Sequence, residues 1–418
     1  MIDLVTLGGR ILIDKHISKN GVRIVLEKIP AVRSVTIGIW VLTGSRNESV
    51  ENNGISHFLE HMFFKGTITR TAQDIAEAFD SIGGQINAFT SKEYTCFYAK
   101  VLDTHKDYAL EILADMFFNS TFDEAEMERE KKVVFEEIKM YEDTPDDIVH
   151  DLLAKASYGD HPLGYSILGT EAHLKSFKPE TLREYVKQRY TPENVVVSVA
   201  GNVDDSFIYK IEDYFGAYES PAEKTKILKP AFYANSIERN KDTEQAHLCF
   251  GFEGLPLGDE HIYSLIIMNN VLGGSMSSRL FQDVREKQGL AYSVFSYHST
   301  FLDNGLLTIY AGTGKEQLSL LKDTINQTME ILINKGLTDK ELRNSKEQLK
   351  GSLMLGLEST NSRMSRNGRN ELLLQRHRTL DEIIREIDAV NHDSIGKVIK
   401  KIFNKPASTA LIAPASVL

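Results

Sequence analysis

Phe122-Asp123-Glu124-Ala125-Glu126-Met127-Glu128-Arg129-Glu130-Lys131-Lys132-Val133-Val134-Phe135-Glu136-Glu137-Ile138 is the stretch on which the fold turns, because it can be laid on residues 337–353 at an offset of 215. A second segment, Ser176 through Pro192, can be laid on Ala389 through Lys405 at an offset of 213. Two near-equal offsets so far apart in the chain describe a duplicated unit of roughly 210 residues. Within the first copy, Gly21–Glu27 and Val35–Val41 read as strands. Residues 55–64 read as a helix, and a second helix starts behind Thr71 as N-cap and ends before Gly83-Gly84. Two strands fill Gln85 to Leu102, long helices follow over 107–118 and 123–142, and Val195–Ala200 reads as a buried strand. The second copy restarts with a strand at 244–253, a helix at 262–272, strands at 291–298 and 305–312, and helices at 316–334 and 338–356.

The fold class expected is α+β: two tandem homologous domains, each a mainly antiparallel sheet with helices packed on one face. Residues 1–19 form an N-terminal arm that need not belong to the fold. Residues 20–219 form the first domain. The polar stretch from Ser220 opens a linker over 220–240, and 241–418 form the second domain.

Composition narrows the function. With 418 residues, 42% hydrophobic and 26% charged, the chain is neither disordered, nor collagen-like, nor a small disulfide scaffold. Lys plus Arg number 48 against 59 Asp plus Glu, a net charge of −11, so the broad basic field of a nucleic-acid binder is missing. Two cysteines, Cys96 and Cys249, argue against an oxidising compartment and exclude a cysteine-rich zinc ribbon. Both are expected to be reduced and buried. No run of 18 apolar residues occurs, and residues 1–14 lack a basic region followed by a clean apolar core. A cytoplasmic location with no membrane or nucleic-acid partner is therefore expected.

The chemistry concentrates at His57-Phe58-Leu59-Glu60-His61. On a helix His57 and His61 stand one turn apart on one face, and Glu60 projects roughly 60° to one side of His57. Two imidazoles, a third ligand from elsewhere and an open position describe a catalytic zinc site. The remaining carboxylate can take a proton from a metal-activated water. The spacing is that of the inverted zincin motif. For the third ligand the helix around 128–138 offers Glu130 and Glu137, seven apart and on one face, with Glu136 about 100° away. Val133, Val134 and Ile138 are expected to bury the adjacent stripe.

With these residues the chain resembles the pitrilysin, insulin-degrading enzyme and mitochondrial processing peptidase superfamily of zinc peptidases, over roughly residues 20 to 415. It is most similar to the bacterial processing-protease-like group and the processing-peptidase beta subunit. In that family a glutamate follows the second His of the motif by 76 positions, and Glu137 stands there. The resemblance implies one zinc ion per chain on His57, His61 and Glu137, Glu60 as general base, and Glu130 supporting the site from behind. The segment Gly83–Thr95 resembles the family's edge strand, to which an extended substrate adds through its backbone, with Asn87, Ala88 and Phe89 in contact. Arg285 and Tyr292 resemble an Arg and Tyr pair, Arg285 holding the substrate backbone and Tyr292 donating to the developing oxyanion. Gly273-Gly274-Ser275 resembles a glycine-rich loop near the substrate. The second copy lacks the metal set: Ser345 and Ser352 stand where Glu130 and Glu137 would fall. The activity implied is that of a zinc-dependent metalloendopeptidase acting on short or unfolded polypeptides, in a homodimer that closes a chamber. A catalytically silent scaffold or peptide-binding module of the same fold is the alternative. Asp160-His161-Pro162-Leu163-Gly164 and Tyr190–Asn194 read as turn and packing elements.

Overall fold

The computed structural model describes residues 3–5, 13–220 and 227–415. Seven strands build one sheet: β1 (Asp3–Val5), β2 (Ile13–Ile17), β3 (Arg23–Lys28), β4 (Ser34–Val41), β5 (Gln85–Thr90), β6 (Thr95–Leu102) and β7 (Val195–Gly201), in the order β1-β2-β3-β7-β4-β6-β5. Five build another: β8 (Ser236–Asn240), β9 (Gln245–Glu253), β10 (Ala291–Thr300), β11 (Gly305–Gly314) and β12 (Ser408–Ala413), in the order β10-β11-β9-β12-β8. Read from its β5 edge, the first sheet runs β5-β6-β4-β7-β3, which is the same topology. Each sheet has one parallel pair, β3 with β7 and β8 with β12, and is otherwise antiparallel. The two tandem, mainly antiparallel α+β copies expected from the repeat are therefore present.

The helices of the first copy are α1 (Ile55–Met62), α2 (Ala72–Asp80), α3 (Lys106–Asn119), α4 (Glu124–Glu142), α5 (Pro145–Tyr158), α6 (Glu171–Ser176), α7 (Pro179–Arg189) and α8 (Ser206–Phe215). Those of the second are α9 (Ile262–Leu272), α10 (Leu318–Lys335), α11 (Asp339–Gly356), α12 (Thr360–Leu373), α13 (Leu380–Ala389) and α14 (His392–Phe403). Local chemistry sets their starts. Thr71 caps α2 by accepting from the Asp74 N–H at 3.1 Å while Asp74 accepts from the Thr71 N–H at 2.8 Å. At α4 Asp123 accepts from the Ala125 and Glu126 N–H groups, and 215 residues on Thr338 accepts from the Glu341 N–H at the start of α11. No described helix is long and apolar enough to cross a membrane.

One face of the first sheet (Ile24, Leu26, Ile37, Ile39, Phe97, Ala99, Val197, Val199) packs on α1, α2, α3, α7 and α8. The equivalent face of the second (Leu307, Ile309, Ala311, Phe252) packs on α9, α10 and α14. The opposite face of each sheet takes a helix from the other copy. On the first sheet α12 inserts Met364 and Leu372 beside Val25, Trp40, Cys96 and Val196. On the second, α5 brings Ile148, Val149, Leu153 and Tyr158 against Cys249, Tyr310, Ala410 and Ile412. The offset of 215 carries Pro145–Tyr158 onto Thr360–Leu373, so the exchange is reciprocal.

This changes the boundaries expected from sequence. One compact unit comprises Met1–Ile138, Ser166–Ile227 and Leu355–Thr379, and the other Lys139–Tyr165, Leu228–Met354 and Leu380–Leu418. The division into 20–219, 220–240 and 241–418 differs because a contiguous cut assigns α5 and α12 by chain order, whereas their apolar faces are buried elsewhere. The arm 1–19 also differs from expectation: β2 pairs with β3 and brings residues 13–17 into the first sheet. Of the linker, residues 221–226 lie outside the described residues, and residues 236–240 are strand β8.

Candidate metal centre

The site is built on α1 and α4, both in the first unit. Gly54 enters α1 with φ of 93°, and a Cβ there would meet the Leu168 carbonyl oxygen at 2.6 Å, so the position needs glycine. Its side chain cannot cap, and Glu48 does so instead. The buried Glu48 carboxylate accepts from the Gly54 N–H at 2.8 Å, the Ser56 N–H at 2.9 Å and the Asn53 amide at 2.9 Å. Burial pushes its pKa up, opposed by those hydrogen bonds. A helix N-terminus welcomes an anion, so α1 is anchored one residue before its first turn.

From that anchor His57 and His61 emerge on one face, their rings 4.7 Å apart. On α4 the buried positions are Met127, Glu130, Lys131 and Val134, a helical stripe that places Glu137 at its continuation. Val133 differs from expectation. It is 54% exposed, because it lies about 100° off the stripe that Val134 and the half-buried Ile138 follow.

His57 Nε2 stands 3.6 Å from Glu137 Oε1, and His61 Nε2 stands 3.5 Å from Glu137 Oε2. One ligand atom from each of the three lies within 4.8 Å of the others. Separations of 3.5 and 3.6 Å are long for hydrogen bonds but near the roughly 3.3 Å between neighbouring ligand atoms on a tetrahedral ion with bonds of about 2 Å. The electrostatics also suit a cation. Burial, and after it the neighbouring His61, push the His57 pKa down to about 3, so the imidazole stays neutral as a ligand must. Burial also opposes charge on His61, but the hydrogen bond to Glu130 and the carboxylates of Glu130, Glu137 and Glu60 outweigh it and raise its pKa. A cation in their midst would satisfy that negative field. The donor set therefore fits zinc.

Glu130 is buried and accepts from His61 Nδ1 at 2.7 Å. Burial raises its pKa, yet the hydrogen bonds from His61 and Lys65 prevail and hold it low. Glu60 points beside the triad and accepts from Thr90 Oγ1 at 2.6 Å. Burial pushes the Glu60 pKa up, with the Thr90 hydrogen bond opposing.

Thr90 ends β5, the free edge of the first sheet. Along β5, Ile86 and Ala88 pack toward the α1 side, whereas Phe89 packs with Trp40, Tyr94 and Tyr98 on the other face. Strand alternation thus turns the Phe89 ring away from the metal side. Asn87 is exposed, and its Oδ1 accepts from the Ala88 N–H at 2.8 Å.

The remaining two expected residues, Arg285 and Tyr292, belong to the second unit. Tyr292 is the extra residue of a bulge in the β10–β11 pairing and is 77% exposed. The Arg285 guanidinium lies 4.5 Å from the Tyr292 ring centre and 4.8 Å from that of Phe281, and Nη1 donates to the Tyr292 carbonyl at 3.0 Å. Here Arg285 holds the Tyr292 bulge. The loop at Gly273 runs so close to β10 that a Cβ would meet the Ser296 nitrogen at 2.6 Å, and the Gly273 carbonyl accepts from that N–H. Where the first unit has Glu130 on His61, the second has Ser345 accepting from Asn270 at 2.9 Å, a neutral pair in place of an imidazole and a carboxylate. His161 caps a short turn by accepting from the Leu163 N–H, as a turn element should.

Lys65, Thr90 and Glu48 were not singled out from sequence. Lys65 carried a usable signal, one turn beyond His61. Thr90 and Glu48 carried none, since their partners are set by tertiary contact.

The model of the insulinase family, peptidase family M16, matches residues 23–171, and that of the peptidase M16 inactive domain matches residues 176–349. The chain is 63% identical to an uncharacterized zinc protease of Bacillus subtilis, YmxG, over 97% of this chain and 99% of the relative. It is 40% identical to an uncharacterized zinc protease of Rickettsia felis, over 95% of this chain and 96% of the relative. Among solved structures it superposes on a protease from Helicobacter pylori with a TM-score of 0.88 and 21% identity, over 96% and 99% of the two chains. It also superposes on a peptidase M16 inactive domain protein from Pseudomonas fluorescens with a TM-score of 0.89 and 19% identity, over 96% and 98%. Two family models that together span most of the chain, and relatives alike along its whole length, place this protein in peptidase family M16.

Proposed function

We propose that the protein is a zinc-dependent metalloendopeptidase of the cytoplasm that hydrolyses peptide bonds in short or unfolded polypeptides. The observation that carries the reading is the convergence of His57, His61 and Glu137 within 4.8 Å, with Glu60 held beside them by Thr90. Zinc on those three residues would supply Lewis acidity toward a scissile carbonyl and lower the pKa of a water. Glu60 accepts the proton of the attacking water and returns it to the leaving amine. The free edge of β5 pairs with the extended substrate through main-chain hydrogen bonds, which tolerates many side chains. The exposed Tyr292 hydroxyl is the donor proposed for the oxyanion, on a bulge held by Arg285. Relatives named zinc proteases support the metal and the reaction class.

A quenched, unstructured peptide of about 10–20 residues tests the reading. The zinc-loaded protein is expected to cleave it, a chelator to stop cleavage, and added zinc to restore it. A zinc-loaded chain that leaves the peptide intact would favour a scaffold role. The proposal includes a homodimer, as the family resemblance suggests. Light scattering at working concentration should return twice the 47.1 kDa chain mass, and a monomer would count against it.

A further inference from the structure

Behind His61 the site does not end at Glu130. The Glu130 carboxylate is shared: Oε1 takes the His61 Nδ1 hydrogen bond at 2.7 Å, and Oε2 takes the Lys65 ammonium at 2.6 Å. Glu130 is 5% exposed, so water cannot fill either role at little cost.

The backbone delivers Lys65 to that place. After Met62 the helix closes with a tight turn, in which the Phe64 N–H donates to His61 and the Lys65 N–H to Met62. Gly66 then reverses the chain with φ of 115°, and its carbonyl accepts from the Thr121 N–H. Lys65 is thus pinned on both sides of its Cα, on a segment tied to the approach of α4, and its ammonium lies over Glu130.

We propose that Lys65 is a positioning residue of the metal site, acting on zinc through Glu130 and His61. This rests on the metal-site reading above. With one oxygen fixed by Lys65, the Glu130 carboxylate keeps the other aimed at Nδ1. A carboxylate acceptor there requires the ring proton on Nδ1, which leaves the Nε2 lone pair facing Glu137 for the metal. Without Lys65 the carboxylate can swing, and the orientation of the ring is no longer imposed from behind. Lys65 is not one of the three grouped ligand residues, so its effect travels through that chain of two contacts.

The test is zinc affinity, measured by competition with a chromophoric chelator on wild type, Lys65→Met, Lys65→Arg, Glu130→Gln and the Lys65→Met/Glu130→Gln double variant. Removing a partner behind a ligand commonly weakens metal binding about 10–100-fold. Lys65→Met is expected to fall in that range and Lys65→Arg, which keeps the ion pair, to stay within about threefold of wild type. In the Glu130→Gln background Lys65→Met should add little, since both act along one path. If Lys65→Met melts below the assay temperature without metal, Lys65→Gln takes its place. Wild-type affinity in the Lys65 variant while Glu130→Gln weakens binding overturns the proposal. So do fully additive losses in the double variant, or a wild type that binds no zinc. A wild type that binds zinc but cuts no peptide sinks the peptidase reading and leaves this measurement decisive for Lys65.

Discussion

Glu60→Gln is expected to lower kcat for peptide cleavage by about 10²–10⁴-fold, the range general acid–base catalysis contributes, while zinc stoichiometry stays at that of wild type. The substitution keeps the size and hydrogen-bonding reach of the side chain. Thr90 Oγ1, now 2.6 Å from Glu60 Oε2, can still donate to the amide oxygen. What is lost is the ability to accept a proton and return it. Glu60 is not one of the three grouped ligand residues, so metal binding has no reason to change. KM should move little, because the free edge of β5 that is proposed to pair with the substrate is untouched. Parallel measurement of kcat, KM and bound zinc distinguishes this from a structural lesion. Near-normal kcat would remove Glu60 from the role of base, and loss of zinc would make it part of the metal site.

Arg46→Met is expected to destabilise the first unit by roughly 3–5 kcal/mol. Arg46 Nη1 lies 2.6 Å from Glu93 Oε1, with side chains 1% and 5% exposed. Glu93 belongs to the turn joining β5 and β6. That turn is also tied by backbone bonds from the Ser45 N–H to Ser91 and from the Arg46 N–H to Lys92. Gly44 allows the approach, since a Cβ would meet the Ser91 carbonyl oxygen at 2.2 Å. Removing the cation alone takes from the buried Glu93 carboxylate its 2.6 Å ion-pair partner, which is the costly case. The Arg46→Met/Glu93→Leu pair should recover a large part of the loss, because apolar groups then replace both buried ions. Denaturant unfolding followed through Trp40, which packs on Phe89 and Tyr94 of the same hairpin, reads both. A loss under about 1 kcal/mol for the single change would mean the pair is solvated in solution.

Local periodicity made the two histidines of the metal group readable and left Glu130 and Glu137 as candidates, between which the family resemblance chose Glu137. His57 and His61 share a face by helical spacing, and Glu130 and Glu137 follow the same rule seven residues apart. The repeat was readable because two well-separated segments lie on two others at near-equal offsets, 215 and 213. What sequence missed is non-local. Nothing near Glu48 says that its carboxylate will cap α1, and nothing near Thr90 says that it will meet Glu60. Val133 was misplaced by one position of helical phase, which pattern alone resolves poorly when two valines are adjacent. Phe89 was grouped with its neighbours, although alternation along β5 turns its ring to the far face. The compact units depart from contiguous domain limits for the same reason on a larger scale, since burial of α5 and α12 is decided by sheets that lie far away in the chain.

The reciprocal placement of α5 and α12 bears on ancestry. A single copy of about 210 residues, before duplication, would have owned a sheet whose Trp40-type face had no helix of its own to cover it. It would also have carried an amphipathic helix with no sheet of its own to lie on. Two such molecules trading that helix satisfy both at once, as in a swapped dimer, and closed two-fold trading needs no third partner. Gene fusion would then join the two partners in one chain, in which each copy's sheet is still covered by the other copy's helix.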